Sequence, residues 1–389
     1  MAVPKEVRVP IEMLGSSEGV VAKEVVTQDG VVILPLGVDI SLFEASLDVL
    51  VDKMRQSGIW YVSLTPPQQL SEDDIETIIG KVYSDEDSLI SKQKARDVVK
   101  RVDSVFNNIR AEGSIRPEMV SAMTNLGSSL TEDLLRNPSV TFSLGKVQEV
   151  DEYTFVHSFN VAVLTGYLAN KLHPGDEKFL QKMVIGGLMH DLGKAKIPLE
   201  ILNKPAPLTK DEFDQMKRHP NIGVEIAIKA GVSDKDVIAV IGGHHEKWSG
   251  GGYPNGRRGN EIPDAARIAA IADVFDALTA KRVYKKPMSS RNAMTIILND
   301  AGAHFDTRVA RAMLLSLGLY PPGSIVSLSD GRVGIVISGG GKDLVRPVIM
   351  LTDLKKKDGG APNFIDLKNE TSLCIHGYLG HADKRELGL

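Results

Sequence analysis

Six of the nine histidines fall between residues 157 and 245 in a stretch also rich in Gly and Asp, and no other feature limits the fold as much as five of them, His157, His190, His219, His244 and His245. An imidazole or carboxylate inside a protein needs a partner, because burial alone is costly. Helical periodicity places these groups inside. Over 152–171, His157, Val161, Leu164 and Leu168 recur on one face, so His157 points inward with the apolar stripe. The next helix, over 178–189, is apolar at Met183, Val184, Leu188 and Met189 and carries Gly186-Gly187 for close helix approach. It ends in His190-Asp191-Leu192-Gly193-Lys194. Adjacent side chains on a helix diverge by about 100°, so His190 and Asp191 serve one site only over the helix end, where Gly193 can stop the turn.

Thr209 and Glu212 form a capping box for a further helix, with Phe213 and Met216 expected to be buried, and the chain then reaches His219 just before Pro220. Ser233 is expected to cap another helix, with Val237, Ile238, Val240 and Ile241 inward, delivering His244-His245 ahead of the loop Ser249-Gly250-Gly251-Gly252-Tyr253-Pro254. Two consecutive imidazoles there can straddle two metals, or one metal and a substrate oxygen. Pro263 and Asp264 open a helix with core stripe Ile268, Ile271, Phe275 and Leu278. Asp273 projects from its other side toward a cavity, and Asp276 reads as a support for a ligand or as a packing partner. His157, His190, Asp191, His219, His244, His245 and Asp273 are too many donors for one metal and suit two that share a bridging carboxylate. Mixed imidazole and carboxylate ligation favours Fe, Mn or Zn over Ca or Mg. His173, His304, His376 and His381 read as structural or solvated.

Composition excludes several classes. With 46 Lys+Arg against 50 Asp+Glu, the chain lacks the positive field that draws a protein onto nucleic acid polymers or anionic membranes, so phosphate must be met locally. The single cysteine, Cys374, excludes an intramolecular disulfide and a thiolate metal cluster and fits a reducing compartment. The first residues lack a signal-peptide core, and no window holds the roughly 18 apolar residues of a spanning helix. The expected location is the cytoplasm.

The chain reads as mainly α, in four parts. Residues 1–64 alternate apolar and polar positions around turn residues, with a helical stretch near 41–57, as a small α/β or β-rich domain. Residues 65–144 form a mixed-charge helical connector and a candidate dimerisation element, and helical signals dominate 145–320. Residues 321–389 return to short strands, with a hairpin signal at Ser329-Asp330-Gly331, as a β-rich appendage.

His190-Asp191 with Lys194, then His219, His244-His245, Gly252-Tyr253-Pro254 and Asp273-Val274-Phe275-Asp276-Ala277-Leu278 with Arg282, Tyr284 and Lys285, resembles the HD-GYP family of the HD phosphohydrolase superfamily over about 150–315. The resemblance implies an HD-type helical bundle with a di- or trinuclear Fe or Mn site that cleaves cyclic di-GMP to linear pGpG, and in some members on to GMP. It assigns the seven donors above as metal ligands, with Asp191 as the bridge. Lys194 matches the residue beside the scissile phosphate, and Tyr253, Arg282 and Lys285, with Gly252, match substrate contacts. The Gly252-Tyr253-Pro254 loop matches a surface that docks diguanylate cyclases or other signalling partners. Two departures stand out: Tyr153 occupies the position of a Glu in trinuclear members, and Ser249 replaces an Asp before the glycine loop. A dinuclear site is therefore expected.

On this reading a hydroxide bridging the two metals attacks phosphorus in line. Lys194 stabilises the charge and helps protonate the departing 3′ oxygen. Arg282 and Lys285 hold the second phosphate or a guanine edge, and Tyr253 stacks on or hydrogen-bonds the nucleotide. Without the resemblance, Arg282 and Lys285 are equally well explained as cations at a helix C-terminus. The alternatives are another cyclic dinucleotide such as 3′,3′-cGAMP as substrate, or a metal-containing nucleotide or redox sensor without turnover.

Overall fold

The computed structural model describes residues 6–17, 19–34, 36, 38, 40, 47–65, 92–136, 153–280, 288–321, 323–338, 344–352 and 363–381. The chain divides into two compact units, one made of 1–84 with 314–387 and the other of 85–313. Among the described residues no helix is long and apolar enough to cross a membrane.

The first unit holds strands β1 (Val7–Pro10), β2 (Val20–Val21), β3 (Val25–Val26), β4 (Val32–Leu34) and β5 (Tyr61–Thr65) and helix α1 (Leu47–Gln56). β5 lies between β1 and β2 in an antiparallel sheet, and β3 pairs with β4. Ile11, Leu14, Val21, Leu34, Met54, Val62 and Leu64 form its core. Five further strands, β6 (Ser324–Leu328), β7 (Val333–Ser338), β8 (Val348–Thr352), β9 (Asn363–Asp366) and β10 (Ile375–His381), form a sheet in the order β10-β6-β7-β8-β9. Gly331, at φ 85°, supplies the left-handed residue that lets β6 turn directly into β7.

The second unit is helical: α2 (Lys92–Glu112), α3 (Pro117–Arg136), α4 (Tyr153–Leu172), α5 (Glu177–Met189), α6 (Leu199–Leu202), α7 (Lys210–Met216), α8 (His219–Lys229), α9 (Lys235–Gly243), α10 (Asp264–Thr279), α11 (Ser290–Asn299) and α12, which runs Thr307–Leu317 across the boundary. The helices expected as a connector pack into this bundle, α2 against α4, and α3 against α4 and α5.

The middle of the bundle is α5. Asp176 caps it by accepting from the Phe179 N–H at 2.9 Å, and Leu180, Met183, Val184 and Leu188 are buried. A Cβ added at Gly187 would lie 2.5 Å from Ala162 Cα on α4, and one at Gly186 would lie 2.8 Å from Val240 Cβ on α9. The absence of side chains at these two positions lets α4 and α9 close on α5. α10 packs against α4 and α9 through its small residues, with Ala265, Ala266, Ala269, Ala270 and Ala272 all buried.

Two local expectations are corrected. α7 buries none of its residues, so Phe213 and Met216 are not core: a seven-residue helix held at its N-terminus by the Thr209–Glu212 capping box can stand at the surface. Asp234, not Ser233, caps α9, because its carboxylate accepts from the N–H groups of both Asp236 and Val237.

Candidate metal centre

The ends and faces of five helices and one tight turn meet at one place. His190 closes α5 as its C-cap residue, and Asp191 starts the 3-10 turn Leu192–Lys196. That turn lies against the start of α8, where His219 is the first residue. The approach requires glycine: a Cβ at Gly193 would lie 1.9 Å from the His219 carbonyl oxygen and 2.7 Å from the Gly223 nitrogen. α9 ends at His244-His245, α4 brings His157 and α10 brings Asp273.

The two carboxylates are forked between the imidazoles. Asp191 Oδ2 lies 3.3 Å from His190 Nε2 and 3.8 Å from His157 Nε2, while Oδ1 lies 3.4 Å from His219 Nε2 and 3.8 Å from His244 Nε2. Asp273 repeats the pattern, with Oδ1 3.0 Å from His157 Nε2 and Oδ2 3.6 Å from His245 Nδ1. Donors about 2.1 Å from a common ion stand roughly 3.0–3.4 Å apart, which is the spacing of several of these pairs. His157, His190 and Asp191 form one group, and His219, His244 and His245 another, each with ligand atoms within 4.8 Å of one another.

Hydrogen bonding fixes which atoms face the centre. His190 Nδ1–H donates to the Gly187 carbonyl at 2.8 Å, His219 Nδ1–H to Met216 at 2.8 Å and His244 Nδ1–H to Val240 at 3.0 Å. Each therefore presents Nε2, the arrangement in which backbone acceptors orient a metal-binding imidazole. His157 Nδ1 is held by Asp276 Oδ2 at 2.7 Å, and Asn160 Nδ2 donates to the other Asp276 oxygen at 2.7 Å. His219 Nε2 and His244 Nε2 face each other at 3.3 Å, both as lone pairs once each ring is neutral and gives its Nδ1 proton to backbone. His190 Nε2 and Asp191 Oδ1 are buried with no hydrogen-bond partner. Facing lone pairs and an orphaned carboxylate oxygen are costly together, and a divalent cation satisfies both. The donors fit metal.

Electrostatics agrees. Burial holds the His219 imidazole down at about 3 and, with the His190 ring beside it, His244 at about 4; burial and His244 hold His245 well below its ordinary value. Burial would lift the Asp191 and Asp273 carboxyls, but neighbouring cations and imidazoles outweigh it and both sit well below the usual range. Neutral imidazoles beside ionised carboxylates are the protonation states that bind metal. At His157, burial is outweighed by hydrogen bonds to Asp273 and Asp276, which push the ring up to about 9.

Residues 128–309 match the HD domain family. The chain is 31% identical to the cyclic di-GMP phosphodiesterase response regulator RpfG of Xanthomonas campestris pv. campestris, over 63% of this chain and 68% of that protein. The chain belongs to the HD-GYP family. Among other HD-GYP relatives, it is 36% identical to a cyclic di-GMP phosphodiesterase of Pseudomonas aeruginosa over 67% of this chain, spanning 60% of that protein's length. It is also 42% identical to 3′3′-cGAMP-specific phosphodiesterase 2 of Vibrio cholerae, over 32% of this chain and 24% of that protein.

The loop that gives HD-GYP proteins their name is built against the clustered donors. A Cβ at Gly252 would lie 2.4 Å from Lys247 N and 2.6 Å from both Glu246 Cα and the His245 carbonyl oxygen, so this glycine lets the loop fold onto the backbone that carries His245. Tyr253 donates its N–H to the His245 carbonyl at 3.1 Å, and its ring lies 4.6 Å from the His245 ring at 30°. Ser249 anchors through its backbone, donating to the Ala303 carbonyl at 2.8 Å. Lys194 Nζ lies 2.6 Å from Asp191 Oδ2. Arg282 and Lys285 lie outside the described residues, as do Glu152 and the side chain of Tyr153.

Sequence reasoning missed Glu246. It is 3% exposed, Oε1 accepts the Asn255 N–H at 2.8 Å, and Oε2 is buried with no hydrogen-bond partner. The available signal was an acid directly after His244-His245 and before a loop full of N–H donors. His173, read as structural or solvated, is paired with Asp264 at 2.7 Å.

Proposed function

We propose that the protein is a metal-dependent phosphodiesterase that opens cyclic di-GMP to linear pGpG, with residues 145–320 as the catalytic domain. The observation that carries this reading is the forked Asp191, whose two oxygens address two separate imidazole groups. His157, His190, Asp191 and Asp273 would hold one ion, and His219, His244 and His245, with the same carboxylates in reach, would hold a second; Fe or Mn fits this donor set. Ions so placed supply a nucleophile at neutral pH and offset phosphate charge.

The remaining work falls to the chain's own groups. Asp191 stays ionised in a buried position, and the Lys194 ammonium beside it places positive charge at the edge of both donor groups. From there Lys194 neutralises charge that develops on phosphorus and gives a proton to the departing 3′ oxygen. Burial, with Asp273 and Asp191 nearby, pushes the Tyr253 phenol above its ordinary value, so it stays protonated and donates to the nucleotide. Arg282 and Lys285 take the second phosphate or a guanine edge. Gly252 seats the loop, which also serves as a docking surface for diguanylate cyclases or other signalling partners. The protein acts in the cytoplasm, with α2 and α3 as its dimerisation element.

The second reading keeps the site and changes the substrate to 3′,3′-cGAMP, supported by the similarity to the Vibrio cholerae enzyme named for that activity. Protein prepared without oxygen and loaded with Fe(II) or Mn(II) is given cyclic di-GMP and followed by chromatography, beside the His190→Ala/Asp191→Ala variant. Metal-dependent pGpG absent from the variant is the expected result. Protein with two bound metals that leaves cyclic di-GMP intact overturns the assignment, and cleavage of 3′,3′-cGAMP alone selects the second reading.

A further inference from the structure

α7 carries an aromatic side chain that the core does not claim. Phe213 is 47% exposed, although it stands six residues before the buried donor His219. Its ring centroid lies 6.3 Å from that of Tyr253 at 80°, an edge-to-face pair. Tyr253 continues inward to His245 at 4.6 Å and His219 at 6.3 Å. The three rings step out from the donor groups to solvent: His245 is 22% exposed at its side chain, Tyr253 is half-buried, and Phe213 is open.

The outer ring is held in place. The Lys217 ammonium lies over the Phe213 ring at 5.1 Å and is tied to Asp214 Oδ1 at 2.6 Å. The Thr209–Glu212 capping box fixes the start of α7, and Lys204 clamps Glu212 at 2.6 Å. An exposed ring so restrained loses little conformational freedom when a ligand packs on it. Beside a centre built for phosphate, it matches a ligand that joins a planar heterocycle to a phosphodiester.

We propose that the exposed Phe213 ring forms a stacking wall for one purine base of the cyclic dinucleotide, with the Tyr253 ring, at 80° to it, bordering the base at its edge, which makes Phe213 a specificity-determining residue; this rests on the phosphodiesterase reading above. Stacking reads the area of a base and not its hydrogen-bonding edge. Phe213 therefore favours purine over pyrimidine and does not separate guanine from adenine.

The test compares metal-loaded wild type with Phe213→Ala and Phe213→Trp. Because Phe213 is exposed, neither change disturbs the core. Phe213→Ala raises KM about tenfold for both cyclic di-GMP and 3′,3′-cGAMP, about 1.4 kcal/mol, with kcat within about twofold and bound metal unchanged. Phe213→Trp restores KM, and its emission, above that of Trp60 and Trp248 in wild type, is quenched saturably by cyclic di-GMP. Unchanged KM in Phe213→Ala, or a loss confined to kcat, overturns the wall. Should the metal-loaded wild type cleave neither dinucleotide, saturable quenching in Phe213→Trp keeps the wall and removes the phosphodiesterase reading, whereas unquenched emission removes both.

Discussion

The closest approach in the centre lies between two backbones, and it makes Gly193→Ala a sharp test. The new methyl would stand 1.9 Å from the His219 carbonyl oxygen and 2.7 Å from the Gly223 nitrogen. Carbon and oxygen without a bond between them stay about 3.3 Å apart, so the 3-10 turn and α8 must separate by about 1 Å or more. Neither neighbour is a side-chain end that can rotate away. Ligand distances tolerate only about ±0.2 Å, so His219 leaves the group that it forms with His244 and His245. Overpacking costs about 1–3 kcal/mol, which leaves the bundle folded. The expected result is native-like circular dichroism, a lowered Tm, and at least half of the bound Mn(II) lost when metal content is measured after desalting. Gly231→Ala is the control: a Cβ there meets nothing within 4 Å, but φ is 92°. That strain costs about 1–2 kcal/mol far from the donors, so Tm falls by a similar amount with metal retained. Wild-type metal content in Gly193→Ala, or equal loss in both variants, would refute the reasoning.

Asp276→Ala removes the acceptor that orients His157 and leaves the Asn160 amide without its partner; metal affinity falls about 10–100-fold in titrations with Mn(II). Lys194→Met keeps metal, because Lys194 is not a donor, and lowers kcat about 100-fold or more with KM less affected; retained turnover removes Lys194 from the chemistry. Stripped of metal, the protein has its highest Tm near about pH 6.5. Below that pH the unfolded chain protonates His219 and His244 while the folded chain, at about 3 and about 4, does not, so stability falls with acid. Above it, His157 at about 9 is protonated only in the folded chain, so its contribution is lost as pH rises through 9. Calorimetry from pH 4.5 to 9 checks this, and a Tm that keeps rising on acidification below about pH 6.5 contradicts it.

Much of the centre was legible because its donors lie at helix ends with strong local signals. Gly193, Thr209–Glu212 and the apolar stripe beside His157 each mark where a helix starts, stops or turns its face, and those rules act within a few residues. What stayed hidden depends on partners distant in sequence. Gly186-Gly187 announced a close approach, but only the packed bundle reveals that α4 and α9 are the two helices that close on α5. Phe213 read as core because an apolar residue one turn into a capped helix usually is; nothing local says that the neighbouring helices have no room for α7. Glu246 passed unnoticed because its partner, the Asn255 N–H, becomes available only after the glycine loop has folded back.

That fold-back also explains how a loop can belong to a rigid site. Gly252 rests on the backbone of His245, Glu246 and Lys247, Glu246 accepts from Asn255 beyond the turn, and Tyr253 both donates to His245 and packs on its ring. The same short segment that ends α9 therefore sets the position of a donor imidazole and of the aromatic surface beside it. A change at Gly252 cannot move one without the other: any side chain there meets backbone at 2.4 to 2.6 Å. Gly252→Ala thus lowers metal retention and weakens nucleotide binding together, whereas Phe213→Ala, one ring further out and free of these backbone contacts, separates the two.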